Sequence, residues 1–313
     1  MSATATARIA ERTAPVIDTE RGHRIRLRLL YLLAIATNLA IFIYGFDYYK
    51  LAAMDRPFSP KHHMLRPSGP IGLYLGFVGV ALFVGIFLYP IRKHWAWLGQ
   101  IGKTRHWLDI HVLMGLTAPF IIAFHSTLKF KGIAGMAFWI MFAVSASGVV
   151  GRYLYAQIPR RVTTVELSMK ELQELQETLC QELASQRILP EADLKALLRL
   201  PNAQQVARLP IPIALLYMMV LDVVRKFGVA RLRRHASGQS FRTFLGFVPS
   251  QHRELEKAIH AAAEQAALSK RLLFLSRSQK VFHLWHVVHK PFSYAFAVLA
   301  LMHIGLQFVL GYF

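Results

Sequence analysis

Two stretches decide how this chain is built: HVLMGLTAPFIIAFH, His111–His125, and HKPFSYAFAVLALMH, His289–His303. Each is apolar between its end histidines, and each holds those histidines 14 residues apart. On an α-helix, 14 steps of about 100° fall roughly 40° short of four turns, so both imidazoles leave the same side of the helix, about 21 Å apart along its axis. A metal ion cannot bridge that distance. Two helices with this spacing, set side by side and parallel, bring four imidazoles into two facing pairs, His111 with His289 and His125 with His303. Each pair suits one flat iron macrocycle taking an imidazole on either face. The expectation is two b-type haems with bis-histidine iron, a ligation that leaves no open iron position and favours electron transfer.

Working outward, the solvent comes next. The chain is 54% hydrophobic over 313 residues. Runs near the ~20 residues needed to cross a bilayer are expected at Leu29–Phe46, Ile71–Tyr89, Trp107–Leu128, Ile133–Tyr155 and Pro291–Phe313. This predicts an all-α integral membrane protein of five transmembrane helices. The first run is too long for a signal-peptide core and reads as an anchor. Residues 1–20 read as a disordered tail, 21–157 as transmembrane helices 1–4, 158–280 as a cytoplasmic helical insert and 281–313 as transmembrane helix 5.

The formal charge of +20 is unevenly placed. Arg21, Arg24, Arg26 and Arg28 precede the first run, Arg92, Lys93, Lys103 and Arg105 lie between the second and third, and residues 160–290 carry 20 basic against 11 acidic side chains. These share one side if the N-terminus is cytoplasmic, as the positive-inside rule requires. The opposing loop, Asp47–Pro70, still holds Lys50, Arg56, Lys61 and Arg66. The lipid bilayer accounts for the charge, and no nucleic-acid partner is expected. Cys180 is the single cysteine, too few for an iron–sulfur cluster, and no glycine-rich nucleotide loop is present. Electrons would therefore come through a partner subunit carrying an iron–sulfur or flavin centre, or through a quinone.

Within the insert, Thr163 and Glu166 form a capping-box pattern before an amphipathic run, Leu172, Leu175, Leu179 and Leu183. Ile213–Val224 is apolar but short for a span, which suits an interfacial or buried helix. The basic run Arg225, Lys226, Arg231, Arg233 and Arg234 fits either anionic headgroups or an acidic redox partner. A further helix is expected around Glu254–Leu268.

Around the paired histidines, Gly115 and Ala118 on one stripe, and Ser293, Ala297 and Ala300 on the other, are small enough to let a macrocycle or a helix come close. Phe296 interrupts the second stripe. Arg105, Arg152 and Lys290 are placed to meet haem propionates at the His111 end, and Lys129 and Lys131 at the other; Arg152 equally suits snorkelling to the interface. Pro291 lies between the paired histidines of the last helix, which keeps His286 open as an alternative to His289. His94, His106, His283 and His286 leave a third haem open, and His62 and His63 suit a quinone or donor.

The two histidine stretches resemble the transmembrane part of the ferric reductase and NADPH oxidase superfamily, and SGVVGRYLYAQIPR, Ser147–Arg160, looks like a segment of bacterial membrane cytochromes b of this broad type, which implies a bacterial-type inner (plasma) membrane. That resemblance implies two haem-ligating histidines on each of two parallel helices. It covers less than half of the chain. The sixth span and the flavin and nicotinamide domain usual in that group have no counterpart here, so haem binding is implied more firmly than ferric reductase activity. The function expected is a membrane electron-transfer subunit of an oxidoreductase. The alternatives are a ferric reductase-like enzyme, and a haem-free transporter or scaffold that uses its histidines for protons or packing.

Overall fold

The computed structural model describes residues 3–158, 206, 208–237 and 253–311, and every regular element among them is helical. In chain order these are α1 (Ala3–Tyr49), a 3₁₀ turn (Arg56–Phe58), α2 (His62–Leu65), α3 (Pro70–Arg92), α4 (Ala96–Gln100), α5 (Thr104–His125), α6 (Gly132–Gln157), α7 (Ile211–Ser237), α8 (Arg253–Leu273) and α9 (Leu275–Val309). Five segments are long and apolar enough to cross a membrane: Glu20–Tyr49, His62–Arg92, Thr104–His125, Gly132–Gln157 and Arg277–Val309. Each contains most of one expected run. The capping box at Thr163, the leucine run to Leu183 and Cys180 lie outside the described residues.

Two compact units make up the chain, residues 1–152 with 287–313, and residues 153–286. In the first, α3 and α5 pack most closely, followed by α1 on α5, while α9 makes no comparably close backbone contact with another helix. Much of the helical surface is apolar and uncovered: Leu32, Leu33, Ile35 and Ile43 on α1, and Val298 and Leu301 on α9, are all more than half exposed. A helix that is apolar all round has no polar face to give to water, so such faces need an apolar surround. Within this unit Tyr48, Tyr49, Leu65, Leu75, Ile121 and Phe124 form one buried cluster.

The second unit is built on α7 and α8. Leu232, Leu255, Ala258, Ile259, Ala262 and Ala266 are buried together. Asp222 is an ion centre of the same unit, accepting from Lys270 Nζ at 2.6 Å, from the Tyr153 hydroxyl at 2.7 Å and from Arg225. Of the five residues in the basic run, Arg225 is thus held by Asp222, and Arg233 bonds Glu256 through Nε at 2.8 Å and Nη2 at 2.9 Å.

Two expected boundaries move. α5 stops at His125 rather than reaching Leu128, because Leu128 N–H bonds Ala123 C=O at 2.8 Å and Thr127 N–H bonds Phe124 C=O at 3.0 Å. That pair of bonds is a Schellman ending. It has a threonine, at φ 52°, where glycine is usual. The last helix begins at Leu275, well before Pro291, and continues through that proline to Val309.

Candidate functional site

His111 is positioned by a proline on another helix. Pro90, in α3, has no N–H, so the carbonyl of Ile86 four residues earlier lacks its helical donor. His111 Nδ1 sits 2.9 Å from that oxygen. Since a carbonyl only accepts, Nδ1 carries the proton and Nε2 keeps its lone pair. The Tyr89 ring lies 5.1 Å from the imidazole and limits its rotation.

His125 repeats the arrangement at the far end of α5. Its Nδ1 donates to Gly72 C=O at 2.8 Å, which again leaves Nε2 unprotonated. Gly76 makes the approach possible: a Cβ there would stand 2.8 Å from His125 Cε1 and 3.0 Å from Nδ1. Arg56 fastens the adjoining loop. Its Nε bonds Leu51 C=O at 3.1 Å, one Nη bonds Tyr49 C=O at 3.0 Å, and the other bonds the carbonyl of Thr127, two residues beyond His125.

On α9, His289 Nδ1 lies 2.8 Å from Ser147 Oγ of α6. That hydroxyl is 2.8 Å from Val144 C=O, to which it donates its one proton, so towards His289 it accepts. Three imidazoles of the four therefore share one tautomer, with Nδ1 protonated and each fixed by a different partner. His303 is partly buried and lies in the neighbourhood of His125.

Halfway between the histidine tiers, Ala118 is seven residues from both His111 and His125, and Phe296 is seven from both His289 and His303. Phe296 packs against the Ala118–Phe138–Met141 cluster, and its ring meets Phe83 edge-on at 5.7 Å. Phe296 beside Ala118's cluster and His303 near His125 follow one another in the same order along both helices, so α5 and α9 run in the same direction. A second proline helps tie the helices: Pro119 frees Gly115 C=O, and Ser145 Oγ of α6 donates to it at 2.6 Å. A Cβ on Gly115 would find no atom within 4 Å.

The cations expected around the tiers divide into two groups. Arg105, Lys129, Lys131 and Lys290 are exposed, Arg105 standing 3.9 Å from Glu20. Arg152 is already paired: its Nη2 is 2.7 Å from Asp109 Oδ1, and His23 Nε2 is 3.1 Å from Oδ2 of the same carboxylate. Asp109 is buried, two residues before His111. His23 stacks on His106 at 3.6 Å between centroids, and Glu20 bonds Lys103 at 2.9 Å, so the start of α1 is fastened to the start of α5. His286 is turned back on its own helix, with Nδ1 3.1 Å from Phe282 C=O and its ring edge-on to Phe282 and Trp285. Among the described residues no three His, Cys, Asp or Glu side chains converge as ligands for a bare metal ion.

Ile86, Gly72, Gly76 and Ser147 lie off the histidine helices and were not foreseen, and neither was Asp109, although it stands on α5 itself. Two signals for them were present in α3, a proline near the end of an apolar run and the G-x-x-x-G spacing of Gly72 and Gly76. Comparison with known proteins gave no matching family model, no matching curated protein and no matching solved structure.

Proposed function

We propose that this chain is a di-haem b-type cytochrome, the membrane electron-transfer subunit of an oxidoreductase. The observation that carries the reading is the shared tautomer: His111, His125 and His289 each direct Nδ1–H at a protein acceptor, so that Nε2 is the unprotonated nitrogen. Iron-ligating histidines need that state, and an outer hydrogen bond of this kind both orients the ring and makes it a better ligand. His303 completes the second pair by register. The residues fit haem on further counts: a bis-imidazole donor set at each tier, open space over Gly115, and exposed Arg105, Lys129 and Lys290 at the two ends to meet propionates. His289 is favoured over His286 because 14 residues from His303 leave it only about 40° off that residue's face, against about 100° for His286.

A haem at each tier supplies a one-electron redox centre, and two tiers divide the crossing into short steps. The protein's own contribution is to fix the ring planes, exclude water and hold charge near the His111 tier through Asp109 and Arg152. The five apolar helices suit a multi-pass place in a bacterial-type inner membrane, with the N-terminus and the 153–286 unit cytoplasmic. The arrangement is similar to the transmembrane part of the ferric reductase and NADPH oxidase superfamily. Its redox partner would be a subunit with an iron–sulfur or flavin centre, or a quinone. A pyridine haemochrome assay on the purified chain tests the reading, and about two b haems per chain are expected. An absence of haem after expression with ample haem supply would overturn it, and would restore a transporter using the buried Asp109–His23 pair for protons.

A further inference from the structure

α7 is two-faced in a way its packing within residues 153–286 leaves half unused. Ala214 and Met218 are each 2% exposed, Leu232 is fully buried, and Asp222 holds its ion centre on that same side. On the opposite side Ile213, Leu216, Val220, Val223, Val224 and Phe227 are 45–62% exposed. Their spacing of 3, 4, 3, 1 and 3 residues is that of one helical stripe. One turn further on, Arg231 and Arg234 take over the same stripe and are exposed, with exposed Lys226 at its edge. The face therefore passes from apolar to cationic along a single helix.

We propose that this stripe lies in the headgroup and acyl boundary of an anionic bilayer, with α7 as an in-plane helix rather than a sixth span. The inference rests on the membrane part of the reading above and not on haem. Three features select lipid as the occupant. The stripe from Ile213 to Phe227 rises only about 21 Å, short of the ~30 Å of hydrocarbon that a span must cross. Its cationic end matches anionic headgroups, the arrangement that holds amphipathic helices at a membrane surface. The segment containing α7 is also joined at both ends to helices long enough to cross a membrane, Gly132–Gln157 and Arg277–Val309, which keeps it near a bilayer.

Site-directed spin labelling of the full chain in nanodiscs containing anionic lipid tests this. In a Cys180→Ser background, single cysteines replace Leu216, Val220, Val223 and Phe227, all exposed and so tolerant of a label, with Phe142→Cys on α6 and Val298→Cys on α9 as references. Depth is read from relaxation by oxygen against a water-soluble nickel complex. An in-plane helix gives four similar, shallow depths, with the reference labels deeper. A depth that increases steadily from 216 to 227 would mean a crossing helix and overturn the proposal. So would water exposure of all four labels, or shielding from both relaxants as under a protein partner. Reference labels that are themselves outside lipid would instead defeat the membrane reading.

Discussion

Pro90 and His111 share one carbonyl. The proline withdraws the donor that would have closed the helix onto Ile86, and the imidazole from the neighbouring helix takes its place at 2.9 Å. A residue usually regarded as a helix breaker is here what fixes the tautomer of a candidate ligand. Pro119 works in the same way, passing Gly115 C=O to Ser145.

Pro90→Ala restores a competing N–H to Ile86. His111 then shares its acceptor and its ring is held less firmly. Haem retention at the His111 tier should fall about tenfold, in line with losses of outer-shell partners elsewhere, while the His125 tier is unchanged. Transfer of haem to an apo-globin acceptor, followed by its biphasic kinetics, measures this; equal rates in wild type and variant would contradict it.

Gly76 and Gly115 should respond differently to the same methyl group. At Gly76 a Cβ falls 2.8 Å from His125 Cε1, within an imidazole held on its other side by Gly72. Gly76→Ala should displace that ring and cost the haem of its tier. At Gly115 no protein atom stands within 4 Å. Gly115→Ala should leave the fold's thermal stability untouched and alter only the haem spectrum, which separates steric demand by the protein from demand by the bound group.

Asp109 tests the ion network near the His111 end. Removing the carboxylate in Asp109→Ala leaves Arg152 without its partner inside an apolar helix packing, at a cost on the order of 2–3 kcal/mol, below the full figure for a buried pair because Arg152 is partly exposed. Asp109→Leu combined with Arg152→Met should recover much of that loss. Thermal unfolding in detergent, compared over the single and double variants, checks the coupling.

Asp222 sets an acid limit on the packing of α7 against α8. Burial pushes its carboxyl up, but hydrogen bonds from Lys270 and Tyr153 and the charges of Lys270 and Arg225 outweigh that and hold it below its ordinary value. A carboxyl depressed in the folded state binds fewer protons there than when unfolded. Its stabilisation is present above the ordinary carboxylate range and is lost as pH falls through the depressed value. Hydrogen exchange in α8 should accelerate in that acid window, and Asp222→Asn should remove the pH dependence while raising exchange at neutral pH.

The five apolar segments were legible because length and hydropathy are local, and the 14-residue spacing of the histidines because it is a geometric feature that the sequence displays directly. The partners of the histidines were not. Ile86, Gly72 and Ser147 become partners only when α3 and α6 pack beside α5 and α9, and nothing local to them distinguishes a carbonyl or hydroxyl that will meet an imidazole. Arg152 was expected to meet a haem propionate or to snorkel, and its carboxylate Asp109 lies 43 residues away on another helix. The end of α5 was misplaced because Thr127 occupies a left-handed position normally marked by glycine. On α7, the twelve-residue apolar stretch was visible, whereas its division into a buried side and an exposed stripe came only with the packing of residues 153–286.

The central claim is the pairing of the tiers, and the most direct measurement is haem content and spectrum in the four single variants His111→Ala, His289→Ala, His125→Ala and His303→Ala. The account predicts that the first two lose the same haem and keep the other, and that the last two do the reverse. Retention of both haems in any of the four, or loss patterns that join His111 with His303, would contradict the parallel register on which the site is built.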